Sequence, residues 1–70
     1  MIIDISLNYS LDYTDLSKVK RDSLIYIEYD NGVYKTISPE KLKTLIISEE
    51  LQESADNVLF ELKQRNVKIK

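Results

Sequence analysis

The chain predicts an α+β fold, a three-stranded antiparallel sheet made of an N-terminal strand and a β-hairpin and covered by two C-terminal helices. Three observations carry that prediction: apolar residues alternating with polar ones near the start, a β-branched and aromatic segment folded about Asn31-Gly32, and helical apolar spacing after Ser38-Pro39. Seventy residues make one domain, residues 1–70, with no repeat, linker or low-complexity tract to divide it.

From Ile3 onward the odd positions Ile5, Leu7, Tyr9 and Leu11 are apolar, whereas Asp4, Ser6, Asn8, Ser10 and Asp12 are polar. A period of two is that of a half-buried strand. The polar connection that follows has room for one short helical turn, with Thr14 as cap and Leu16 and Val19 facing inward.

Residues 23–30 and 33–37 flank Asn31-Gly32, the dipeptide favoured by a two-residue type I′ turn. That loop predicts a register pairing Tyr29 with Tyr34, Glu28 with Lys35, Ile27 with Thr36 and Tyr26 with Ile37. Ile25, Ile27, Tyr29, Tyr34 and Thr36 then form the core face, and the opposite face carries Tyr26 and Ile37 beside a Glu28/Lys35 charge pair.

Ser38-Pro39-Glu40 reads as a helix start, with Ser as N-cap, Pro at the first helical position and an acid in the first turn. Leu42, Leu45 and Ile46 make an apolar stripe that does not continue, because Ile47, Leu51, Ala55, Val58 and Leu62 fall roughly opposite it. Either one helix is buried on two sides or, the reading favoured here, it breaks near Ile47 to Glu50 with Ser48 capping a second helix. The final Val67-Lys-Ile-Lys alternates and predicts a short edge strand guarded by lysine.

Composition narrows the function. The chain has no Cys and no His, so disulfides are excluded and the usual thiolate and imidazole ligands of zinc or copper are missing. The same two residues do most general acid/base and nucleophilic work at neutral pH, and the single glycine is spent in the hairpin turn and forms no phosphate loop. We therefore expect a non-enzymatic protein without metal or cofactor. The start, Met-Ile-Ile-Asp, lacks a signal peptide's basic region, and no apolar run is long enough to span a membrane. A cytoplasmic location is the expectation.

Charge is distributed unevenly. Residues 44–62 carry Glu49, Glu50, Glu53, Asp56 and Glu61 with no Lys or Arg, in a chain whose formal net charge is only -2. Such a strip repels nucleic acid and attracts basic proteins. On a helical wheel Glu49, Glu53, Asp56 and Phe60 share the side opposite Leu51, Ala55, Val58 and Leu62. The sole phenylalanine thus stands among carboxylates, an aromatic anchor ringed by charge as at protein interfaces; the competing placement packs it on the first strand or the C-terminal tail. The candidate partner-binding residues are Glu49, Glu50, Glu53, Asp56, Phe60 and Glu61, with Tyr26, Glu28 and Asp30 on the hairpin as a secondary surface. Lys18, Lys20 and Arg21 form the one basic cluster, too small a phosphate-binding term to favour direct nucleic-acid binding.

In size, in acidity and in the carboxylates Glu49, Glu50, Glu53, Asp56 and Glu61, the chain resembles small phage-encoded inhibitors that mimic DNA, of the kind directed at nucleoid-associated HU proteins or DNA-repair glycosylases. The resemblance implies an inhibitor acting in the host cytoplasm, whose acidic surface occupies the DNA site of a basic partner such as a nucleoid-associated protein. A different class of function, a structural or assembly module docking through apolar surface, fits the small core. A domain of this size buries only about 60% of the surface its unfolded chain exposes, which favours support from a second copy and predicts a homodimer.

Overall fold

Strand β1 (Ile2–Leu7) pairs antiparallel with β2 (Ile25–Tyr29), which pairs antiparallel with β3 (Tyr34–Ile37), in a computed structural model that describes residues 1–8 and 16–69. The sheet order is β1-β2-β3. Two single-turn 3-10 helices, Leu16–Lys18 and Arg21–Ser23, precede β2, and the chain closes with helices α1 (Pro39–Leu42) and α2 (Glu49–Gln64). The α+β architecture is the one predicted, with one long helix and one of a single turn.

Ile5 and Leu7 stand opposite Ile27 and Ile25, and all four are buried. Leu24, Leu42, Ala55, Val58, Leu62 and Val67 complete the core between the sheet and α2, with no buried polar side chain among the described residues. The alternation fails at one point. Ile3, expected inside, is the extra residue of a bulge between Ile2 and Asp4, so Ile2 packs on the core and Ile3 is exposed. Tyr9, Leu11 and the Thr14 cap lie outside the described residues; Leu16 is buried and Val19 half-buried, as a short helical turn requires.

The hairpin corrects the predicted register by one residue. Glu28 pairs with Tyr34, Ile27 with Lys35, Tyr26 with Thr36 and Ile25 with Ile37. The cause is the loop, which contains Asp30, Asn31 and Gly32 rather than two residues. The Gly32 amide donates to the Tyr29 carbonyl at 3.0 Å, and the Tyr29 amide to the Val33 carbonyl at 2.8 Å. Gly32 alone in the loop has positive φ, +83°. A type I′ turn needs positive φ at both central residues, whereas a type I turn closed by a left-handed glycine bulge needs it only at the last. Because strand side chains alternate, one residue of slip moves Tyr34 and Thr36 from the expected core face to the opposite one and replaces them with Ile37 and Lys35. The Glu28/Lys35 cross-strand pair does not form; the Lys35 ammonium lies 5.5 Å from the centre of the Tyr29 ring.

Ser38 caps α1, its hydroxyl accepting from the Lys41 amide at 3.1 Å, with Pro39 at the first position and buried. The helix ends after a turn. The Thr44 hydroxyl donates to the Lys41 carbonyl at 2.7 Å, an alternative to the next helical hydrogen bond, and the Leu45 amide closes tightly on Leu42. The predicted break is present but begins earlier, after Leu42 rather than at Ile47, and it ends at Ser48, in extended conformation at the N-cap of α2. Ile46 lies in that break and is 98% exposed, so it leaves the stripe assigned to it. On α2 the second stripe holds, with Ala55, Val58 and Leu62 buried and Leu51 half-buried.

No edge strand follows α2 within residues 67–69. Asn66 takes φ of 68°, the Asn66 amide donates to the Lys63 carbonyl, and the Val67 amide donates to the Leu62 carbonyl at 3.0 Å. This is a Schellman ending, which returns Val67 to the same buried cluster as Leu62. The Val67 N–H is committed to the helix and is not free to enter a ladder. The tail is pinned by Arg21, which donates from Nε and Nη2 to the two Glu40 carboxylate oxygens at 2.6 and 2.9 Å and from Nη2 to the Lys68 carbonyl at 2.6 Å.

Candidate acidic interface

Glu49, Glu53, Asp56 and Phe60 succeed one another by four, three and four residues, the spacing that keeps them on one face of α2, climbing in steps of about 6, 4.5 and 6 Å. The helix is amphipathic: its buried stripe fixes the rotation, which turns this row directly outward. All four side chains are exposed, Phe60 at 52%. Phe60 is absent from the core, and the tail contributes Val67 there instead. Glu50 is exposed beside the row, at the helix N-terminus, where Glu49 and Glu50 both interact favourably with the helix dipole.

The acids differ in how far the chain itself neutralises them. Glu61 is half-buried and accepts from Arg65 Nη2 at 3.3 Å, and Asp56 accepts from Gln52 Nε2 at 3.0 Å. Glu49, Glu50 and Glu53 make no ion pair with another described residue. The row therefore carries uncompensated negative charge at its N-terminal end, while Lys63 follows Phe60 by three residues. Among the described residues, no group of three or more acidic side chains converges as metal ligands would.

The secondary hairpin residues divide. Tyr26 and Glu28 lie on the sheet face away from α2, whereas Asp30 sits in the turn and pairs with the Met1 amino group at 3.3 Å. The register brings Asp4 and Tyr34 to the same face as Tyr26 and Glu28, two residues that sequence reasoning missed as site candidates. Tyr34 packs against Tyr26 with ring centroids 5.2 Å apart and planes at 44°. Its hydroxyl pKa is raised above the usual tyrosine value, first by the negative charge of Glu28, then by desolvation and by a hydrogen bond to the Glu28 carboxylate, with smaller contributions from Tyr26 and Asp4. The sequence signal for this grouping was Gly32, equally at home closing a three-residue loop.

Lys18, Lys20 and Arg21 do not act as one basic patch, because the Arg21 guanidinium is engaged by Glu40. A recess of about 190 Å³ beside Arg21, lined also by Leu16, Val19, Asn66, Val67 and Lys68, places no carboxylate or hydroxyl side chain among its walls. None of the helices, over the described residues, is long and apolar enough to cross a membrane. Comparison of the chain with protein-family models, with curated proteins and with solved structures finds no match.

Proposed function

We propose that the protein is a non-enzymatic inhibitor that presents the outer face of α2 to a basic DNA-binding protein and competes there with DNA. The observation that carries this reading is the outward row Glu49, Glu53, Asp56 and Phe60, an exposed aromatic in line with carboxylates that the chain leaves largely uncompensated. The carboxylates rise along the helix by about 4.5 to 6 Å each, of the same order as the rise of about 3.4 Å of helix axis per phosphate on one DNA strand. A cleft built to hold phosphates gains similar Coulomb energy from such a row, and Phe60 adds apolar contact that phosphates lack. Inhibition then needs no chemistry, only occupancy.

For a chain acting as a phage-encoded inhibitor, the partner is a nucleoid-associated or other basic protein of the host cytoplasm. The test is capture of partners from a bacterial lysate on the immobilised protein, with identification by mass, at low and high salt. A basic DNA-binding protein retained at low salt and released at high salt supports the reading, since charge-led complexes weaken with ionic strength. A partner held equally at both salts contradicts it.

A second reading, self-association or docking into a larger assembly, is favoured by Ile46, which is almost fully solvated although large and apolar. A homodimer is expected under either reading. Light scattering at high micromolar concentration decides it, and a monomer there removes it.

A further inference from the structure

The sheet face away from α2 carries two rows of side chains across all three strands, Asp4, Glu28 and Tyr34 in one and Ser6, Tyr26 and Thr36 in the other. Neither row contains a cation. Lys35, on the same hairpin, belongs to the opposite face with Ile27. Asp4 and Glu28 stand directly across a strand pair, where like charges destabilise a sheet, and neither is relieved by an ion pair with a described residue. Beside them the tilted Tyr26–Tyr34 pair leaves Tyr34 53% exposed.

Carboxylates that accept a forked donor, next to aromatic rings that accept a flat cation, are the two features that recognise a guanidinium. We infer that this face is a second docking surface, for an arginine side chain on an extended basic segment of a partner protein, held by Asp4 and Glu28 and stacked on Tyr34. Ser6 and Thr36 offer neutral hydroxyls to the residues flanking that arginine. Charge complementarity selects this occupant. An acidic or apolar segment leaves the opposed carboxylates uncompensated, and a nucleic acid is repelled by them. The negative charge of Glu28 is also the first cause of the raised hydroxyl pKa of Tyr34. The sheet separates this surface from the outer face of α2, so it stands or falls independently of the function proposed for that helix.

The test is an NMR titration of the isotope-labelled protein with a blocked peptide of alternating arginine and serine. Saturable shifts at the amides of Asp4, Tyr26, Glu28 and Tyr34 are expected, with affinity reduced roughly tenfold or more in the Asp4→Asn, Glu28→Gln double variant. That variant removes a like-charge pair, so its denaturation midpoint should be no lower than the parent's, and lost binding is then not lost folding. Reversing Glu49, Glu53 and Asp56 to lysine should leave the sheet shifts in place. Shifts confined to α2, shifts that never saturate, or undiminished affinity in the double variant overturn the inference. The first of these leaves the α2 reading intact.

Discussion

Tyr34 stands directly across the strand pair from Glu28, and this one pairing decides which side chains each face of the sheet carries. It moves an aromatic ring from the expected core to an open acidic face and puts Ile37 beside Ile25 instead. The pairing follows from a three-residue loop closed by Gly32, so the register of the hairpin depends on that loop.

Replacing Gly32 with Val should destabilise the protein by more than about 1 kcal/mol, because a β-branched residue resists the positive φ found there. No atom stands within 4 Å of a Cβ added at that position, so the cost is conformational rather than steric. Gly32→Asn, which tolerates the left-handed region, should cost much less. Urea midpoints measure both, and equal midpoints for Val and Asn contradict the bulge geometry.

Tyr34 makes stability depend on alkaline pH. Its folded pKa is raised above 10.0, so the folded state keeps a proton that the unfolded chain releases near that pH. The contribution is present in full below 10.0 and is lost as pH rises through the higher folded value. Tyr34→Phe should therefore show a shallower loss of stability above that pH than the parent. An identical alkaline slope means that Glu28 does not act on this hydroxyl.

Arg21 joins three segments, the second 3-10 turn, the start of α1 and the tail beyond α2. The Arg21 and Glu40 side chains are 39% and 42% exposed, so solvent screening limits their coupling to about 1 kcal/mol or less despite the forked geometry. A double-mutant cycle with Arg21→Ala and Glu40→Ala should return that value. Arg21→Ala also releases the Lys68 carbonyl, so it should speed hydrogen exchange at the neighbouring Val67 amide more than Glu40→Ala does, and equal exchange in the two variants contradicts the tail contact.

Phe60→Ala should leave the urea midpoint nearly unchanged, since the ring is exposed and outside the core. If Phe60 anchors the partner, the same change should weaken binding by about 2 kcal/mol or more. Calorimetry on the captured partner measures this. Lost stability with unchanged affinity places Phe60 in a structural role instead.

Much of the fold was legible wherever a local pattern and a local cap agreed. Ser38-Pro39 announced α1, and the shift of stripe from Leu42 to Leu51 announced the break before α2. Errors arose where two local solutions share one sequence. Asn31-Gly32 fits both a two-residue and a three-residue loop, and alternation after Asn66 fits both a strand and a helix ending. In each case tertiary packing chose: Ile37 and Val67 found the core by the second solution. Ile46 was misplaced because a stripe that looks helical was interrupted before it could be buried. The acidic row was readable because one long amphipathic helix fixes its own rotation. The open sheet face was not, since it depends on a register set at the loop.

The most direct measurement is competition, in which a labelled DNA duplex bound to a basic nucleoid-type protein is displaced by this chain and by its Glu49→Lys, Glu53→Lys, Asp56→Lys variant. All three positions are exposed, so the variant should fold as the parent does. The parent should displace the duplex, less effectively as salt rises, and the variant should not. Displacement that survives the triple reversal contradicts the function proposed for α2.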